Sequence, residues 1–338
     1  MRDSGQFLLV VHEAMLKAGV DINALYSRLG YDAEKLPLKD LRTPHQQQAL
    51  FWQLVEGVTG DADIGLHLCP HLPLFRGEVI EYLMFSSPTF GDGIQRALKY
   101  LRLISDALSV HLVHDETGAR MCVIGSTLDA PQLRHTEICV VYELIQFARS
   151  VTENRFAPPL RVKLRCSPRS PQAEYETVFG CPVEFGGSES EIWFNPALLE
   201  YRSPRWDPDL LELHEELAQK RLSDLHRRDL VERIRKVLSQ RLELESCDLD
   251  EVAKEVGLAP RRLRFELARA GTSFSQIVTD FRFTLAKRLL ARTTESIENI
   301  VYLTGFSEPS TFYRAFKRWS GLTPVQFREQ HRAPGDKL

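Results

Sequence analysis

The sequence predicts an α+β amino-terminal domain followed by an all-α carboxy-terminal domain, in which two helix-turn-helix units are joined by a long helix. Three observations carry that expectation. The charge is divided unevenly: residues 221–338 hold 22 Lys+Arg against 16 Asp+Glu, a balance of +6, whereas residues 1–220 balance at −9. The first 200 residues mix helical stripes with short strand-like runs and show neither a βαβ rhythm nor a glycine fingerprint. From Leu230 onward the chain reads as helix punctuated by single glycines. Its 43% apolar and 26% charged residues are those of a globular protein and exclude disordered, collagen-like and purely coiled-coil chains.

In chain order, Leu8, Val11, Met15 and Ala18 form a helical stripe ending at Gly19. A second stripe, Ala49, Trp52, Leu54 and Val55, ends near Gly57. Segment 76–105 reads as two helices separated at Ser86-Ser87-Pro88. Runs 109–113 and 120–125 read as strands around the turn 114–118. A long helix spans 134–151, and strand-like runs at 161–166 and 191–195 follow. The turn-rich RSPRWDP at 202–208 precedes a helix at 210–225, with a hinge expected at 226–228. The resulting division is 1–220 for the first domain, 221–228 for a linker, 229–332 for the second domain and 333–338 for a tail.

Arg2 and Asp3 before a short apolar patch give no secretory signal. The most apolar helical stretch, 138–148, is too short to cross a membrane and contains Glu143. Six cysteines without a CxxC pair fit reduced thiols, so a cytoplasmic location is expected.

The carboxy-terminal segment repeats itself. Leu249, Val252 and Ala253 precede Gly257 by 8, 5 and 4 residues, and Ile297, Ile300 and Val301 precede Gly305 by the same steps. Each glycine suits the positive φ of a tight turn and leads to a second helix, carrying Leu263 and Leu267 in one copy and Phe312 and Phe316 in the other. Such a plan places its second helix in a major groove. Between the copies, Phe274, Ile277, Val278, Phe281, Leu285 and Leu289 are expected to make one continuous apolar face on a helix over 273–290. A rod of roughly 27 Å can set two recognition helices in successive groove turns about 34 Å apart. Arg261, Arg262 and Arg264 start the first recognition helix, and Arg314, Lys317 and Arg318 lie on the second. Arg282, Lys287, Arg288 and Arg292 line the rod. Double-stranded DNA is the polyanion this pattern fits, with Arg262, Lys317 and Arg318 as candidates for backbone phosphate.

The stretch GFSEPSTFYRAFKRWSGLTPVQFR at 305–328 resembles the signature of AraC/XylS-type transcription regulators, and the resemblance extends over 229–332. It implies that Arg261, Arg264 and Phe265 read bases from the first helix, and Ser310, Thr311 and Arg314 from the second. It also implies promoter DNA and RNA polymerase as partners, a homodimer, and no cofactor. Two positions depart from the family pattern. Phe265 stands where a basic residue is usual, and either meets thymine methyls or packs under the rod. Val301 stands where a small alanine is usual and would widen the helix crossing without abolishing it. More loosely, RGEV at 76–79, SSPTFG at 86–91 and YETVFGCPVEF at 175–185 resemble regulators grouped with ornithine- and arginine-responsive members. That likeness implies a domain that senses a small-molecule effector and dimerises; one that only dimerises or binds a partner protein is the alternative.

Other chemistry has weaker support. His67-Leu-Cys-Pro-His71 offers three ligand types, but Pro70 and the lack of a second cluster favour a structural loop over a metal site. His111 and His114 fall on opposite faces of a strand and are not expected to share a metal, so none is assigned. Ser-x-x-Lys, Gly-x-Ser-x-Gly, Walker and Rossmann patterns are absent, and no catalytic residue is expected. Phe75, Tyr82, Phe85, Phe90 and Tyr100 are candidates either for lining a cavity or for plain core.

Overall fold

The computed structural model describes residues 1–29, 42–74, 78–116, 118–124, 133–152, 159–240 and 248–331. They form two compact units, Met1–Leu222 and Ser223–Leu338.

In the first unit, α1 (Gly5–Lys17) is capped by Ser4, whose hydroxyl accepts from the Gln6 amide at 3.3 Å. It buries Phe7, Val10, Val11, Ala14 and Met15. Of the expected stripe, Val11 and Met15 are buried and Leu8 packs partly buried against the core, while Ala18 is exposed beyond the helix end. Helix α2 (Ile22–Leu29) leads to α3 (Gln47–Thr59). Helix α3 runs through Gly57, since nothing there demands a turn, and stops at Gly60 in the left-handed region with φ 68°. Two short strands the sequence did not signal, β1 (Arg2–Ser4) and β2 (Arg42–Pro44), pair antiparallel across 40 residues. Helices α4 (Ile64–Leu68), α5 (Val79–Ser86) and α6 (Phe90–Lys99) follow, with the expected break at Ser87-Pro88 and Thr89 capping α6.

Five strands make one sheet: β3 (Ser109–Asp115), β4 (Gly118–Ile124), β5 (Arg161–Leu164), β6 (Val183–Phe185) and β7 (Ser190–Phe194), ordered β3-β4-β7-β5-β6. Only β5 and β6 are parallel. Ala119, Met121, Val123, Ile192 and Phe194 alternate onto the inner face, where α7 (Leu133–Val151) contributes Ile138, Val141 and Ile145. Helix α8 (Gln172–Phe179) ends at Gly180 with φ 72°. Asp63, 2% exposed, ties three segments together, accepting from the Tyr175 hydroxyl at 2.5 Å, the Ser170 amide at 3.0 Å and Arg134. Buried carboxylates need such donors.

Helix α9 (Pro208–Gln240) crosses residues 221–228 without interruption, so the expected hinge is instead helix, consistent with a segment free of Gly and Pro. The second unit continues with α10 (Leu249–Glu255), α11 (Pro260–Arg269), α12 (Phe274–Arg292), α13 (Ile297–Leu303), α14 (Pro309–Ser320) and α15 (Pro324–His331). Gly257 and Gly305 take φ of 71° and 73° in the two turns. The unit has two separate cores. Phe274, Ile277, Val278 and Phe281 serve the first, with Leu263 and Leu267. Phe283, Ala286, Leu289 and Leu290 serve the second, with Phe312 and Phe316. The single apolar face expected on the connecting helix is therefore two faces. At 100° per residue, Ile277 and Ala286 point in opposite directions, about 180° apart.

Helix α4 lies so close to α7 that a Cβ on Gly65 would sit 2.7 Å from His135 Cβ and 2.8 Å from its Cα. Gly65→Ala should therefore force the helices apart and lower stability by about 1–3 kcal/mol, read as a lower midpoint in urea. An unchanged midpoint would show that the crossing relaxes freely. His135 is fully buried, receives the Gly65 amide on Nδ1 at 3.1 Å and donates from Nε2 to Glu56 at 2.7 Å. Burial lowers its pKa from 6.5, partly opposed by the Glu56 hydrogen bond. Because the unfolded chain takes up the proton first, this contribution is present above pH 6.5 and is lost as pH falls through the lower folded value. His135→Gln should show a flatter loss of stability than the wild type between pH ~7.5 and ~5.5; equal slopes would refute the assignment.

Candidate functional site

The two recognition helices are held from behind. In α11, Leu263 and Leu267 are 0% and 1% exposed, one helical turn apart on the buried face. The opposite face carries Arg261, Arg264, Phe265 and Ala268, all exposed and spaced i, i+3, i+4, i+7. In α14, Phe312 and Phe316 are fully buried, and Ser310, Thr311, Arg314, Lys317 and Arg318 are exposed on an arc of about 120°. Arg262 flanks the first stripe. All nine candidate residues thus lie on solvent-facing surfaces opposite an anchored core.

The charges on the two helices are deployed differently. Arg262 pairs with Glu266 at 2.5 Å and Arg264 with Asp250 at 3.7 Å. Arg314, Lys317 and Arg318 have no ion-pair partner among the described residues. Of the rod's cations, Arg282 lies over the Phe306 ring at 5.3 Å and Lys287 over Phe283 at 4.4 Å, so these two support packing, while Arg288 and Arg292 are exposed. Phe265 is 53% exposed, with Arg262 and Arg269 over its ring at 5.7 and 5.8 Å. It does not pack beneath α12.

Both recognition helices open with proline at their first turn, after Ala259 and Glu308, and neither start has a side-chain cap. Their neighbours α10, α12 and α13 are capped by Asp248, Ser273 and Ser296.

Residues 19–203 match the model described as the arabinose-binding domain of AraC transcription regulators, and residues 252–330 match a helix-turn-helix domain model. The chain belongs to the AraC family of transcription regulators. It is a sequence-specific DNA-binding regulator with an arabinose-binding-like amino-terminal domain. The ornithine utilization regulator of Pseudomonas aeruginosa is 28% identical, across 88% of this chain and 89% of its own. VirS of Mycobacterium tuberculosis is also 28% identical, across 84% and 86%. The crystal structure of CdpR, a transcriptional regulator from Pseudomonas aeruginosa, aligns with a TM-score of 0.41 at 21% identity, covering 91% of this chain and 96% of that one.

The family's amino-terminal domain here contains an apolar cavity of about 350 Å³, lined among others by Phe7, Leu108, Val110, Val140, Tyr142 and Phe147. Phe7, Ile104, Leu108 and Val140 also wall a smaller cavity of about 50 Å³, which Asp3, His45, Gln48 and Thr136 border. In that wall, donors run in one direction. Trp52 donates to Thr136 at 2.8 Å, Thr136 to Gln48 at 2.7 Å, and Gln48 to Asp3 at 2.6 Å. Ser105 and His45 Nδ1 complete the Asp3 carboxylate at 2.5 and 2.7 Å. His45 Nε2 is buried with no hydrogen-bond partner. Of the aromatics singled out in the sequence, Phe90 and Tyr100 are core and none of the four described lines the large cavity. Tyr82 and Phe85 border a surface depression with His214; Phe75 lies outside the described residues. The 67–71 segment does not converge: His67 pairs with Asp61 and Glu174 at 2.6 and 3.1 Å, while buried Cys69 donates to the Gly65 carbonyl.

Exposure makes Phe265 separable from the fold. Phe265→Ala should leave the thermal midpoint nearly unchanged and weaken DNA binding, whereas Leu267→Ala should cost about 2–5 kcal/mol of stability. Equal destabilisation by the two, measured by urea denaturation, would refute the surface role.

Proposed function

We propose that the two exposed stripes read one face of promoter DNA. Arg261, Arg264 and Phe265 contact bases in one groove turn, and Ser310, Thr311 and Arg314 in the next. Arg262, Lys317 and Arg318 hold phosphates. The observation that carries this is the opposition, on both helices, of a buried apolar pair and an exposed basic arc. Helix α12, 19 residues and about 28 Å long, supplies the spacing. Because the cations of α14 are not committed to acids among the described residues, the second helix-turn-helix contributes the larger electrostatic share. The regulator works in the cytoplasm as a homodimer, by binding rather than catalysis, with RNA polymerase as its eventual target at the promoter.

Residues 1–220 sense an effector in the 350 Å³ cavity, a volume within the range of small-molecule pockets. The ligand is predominantly apolar, to suit the apolar lining of that cavity. Dimerisation is supported by Leu210, Leu213 and Leu217, an exposed apolar stripe on α9 at steps of 3 and 4 residues.

Arg314→Ala should cost about 1–3 kcal/mol on the specific site and relax preference at one base position. Lys317→Ala should weaken all sequences alike and lower the slope of log K against log salt by about one. Indistinguishable mutants in a site selection, or a flat salt response, would overturn the division of roles. Leu213→Asp should convert a dimer into a monomer by sedimentation. Val140→Trp should abolish the thermal stabilisation given by any metabolite that binds the wild type. An unaltered dimer, or an unaltered ligand response, would remove the corresponding half of this reading.

A further inference from the structure

The outer face of the sheet, away from the core, brings together three side chains of different donor chemistry. His111 on β3 stands directly opposite Cys122 on β4 in the strand register. Glu189, immediately before β7, reaches the same spot, its carboxylate 3.7 Å from His111 Nε2. One ligand atom from each, an imidazole nitrogen, a thiol sulfur and a carboxylate oxygen, lies within 4.8 Å of the others. A tetrahedral ion with bonds of about 2.0–2.3 Å needs ligand separations of roughly 3.3–3.8 Å. The His111–Glu189 pair already meets that span, and side-chain rotation of about 1 Å closes the rest. His111 and Glu189 retain 44% and 25% side-chain exposure and are free to make that adjustment, while buried Cys122 is fixed by its strand.

We propose that His111, Cys122 and Glu189 form a binding site for a borderline transition-metal dication of the zinc class, with a fourth position open to water. The donor set selects for such ions: thiolate and imidazole favour zinc or cobalt over magnesium and calcium, which want oxygen alone. Charge also balances. The dication meets one thiolate and one carboxylate, and the thiol proton leaves on binding. Arg120 is the opposing cation nearby; it pairs with Asp115 at 3.1 Å, lies over the Trp193 ring at 4.8 Å and also hydrogen-bonds the Cys122 sulfur, a contact the metal would replace. The site fastens β3 and β4 to the start of β7 across the sheet. His111 and His114 do not share it, in keeping with their alternation; the co-ligands come from neighbouring strands, which sequence spacing does not show.

The test is titration of the full-length, chelator-treated protein with cobalt(II). One equivalent per chain should give thiolate-to-cobalt charge-transfer absorption together with visible bands of four-coordinate cobalt, and zinc should displace both. Cys122→Ser should remove the charge-transfer band, and His111→Ala and Glu189→Gln should each weaken cobalt binding at least tenfold. Circular dichroism confirms the fold of each variant. Should Cys122→Ser fail to fold, the His111→Ala and Glu189→Gln titrations decide. A wild-type protein without the charge-transfer band, or a band that survives in Cys122→Ser or is unmoved by both other variants, would overturn the site.

Discussion

A helix that reads DNA must be gripped from one side only, and that constraint organises the carboxy-terminal unit. Two large side chains one turn apart are the smallest grip that fixes both the position and the rotation of a helix. Leu263 and Leu267 provide it in α11, Phe312 and Phe316 in α14. With the helical period at 3.6 residues, fixing those pairs leaves the basic residues no orientation except outward. The glycines at 257 and 305 serve the same end. A left-handed residue reverses the chain within a single turn, so each preceding helix lies against the grip and not across the basic face.

The connecting helix shows how two such grips are combined. Its amino-terminal half gives Ile277 and Phe281 to one core, and its carboxy-terminal half gives Ala286 and Leu290 to the other. The two cores share a rod but draw mainly on opposite faces of it. The second core is the more aromatic: Phe283, Phe306, Phe312, Phe316 and Trp319 meet edge-on or tilted at centroid distances between 5.4 and 6.1 Å. Arg282 closes it by lying over Phe306 and against Gly305, where a Cβ would come within 3.1 Å of its guanidinium. A cation in a basic region is therefore not automatically a DNA contact.

Local pattern accounts for what was legible in the sequence. The helices of the second unit, their turns and their basic faces follow from spacing within a few residues, and the buried pairs were readable from period alone. What failed were features set by distant chain. The two faces of α12 are decided by which core each half meets, and a list of apolar positions contains both. Strands β1 and β2 are three residues each and pair across 40 residues, too short for a periodic signal. The continuity of α9 through 221–228 was hidden because a charge-rich segment without Gly or Pro reads equally as linker or as exposed helix. The grouping of His111, Cys122 and Glu189 depends on strand register, which no spacing within one strand reveals.

The two helix-turn-helix units are repeats in plan but not in electrostatics. In α11 the arginines are partly neutralised by Glu266 and Asp250, and an exposed phenylalanine sits between Arg262 and Arg269. In α14 the cations have no ion-pair partner among the described residues, while Glu308 occupies the cap position at the other end. A carboxylate there favours the helix dipole and opposes a phosphate at the same place. The first helix has neutral Ala259 at its cap, and its uncapped amides are open to a backbone phosphate. In the proposed reading, phosphate is best held at the beginning of α11 and toward the end of α14, where Lys317 and Arg318 lie. On that reading the two helices grip the DNA backbone with opposite ends, which would fix the register of the rod between them.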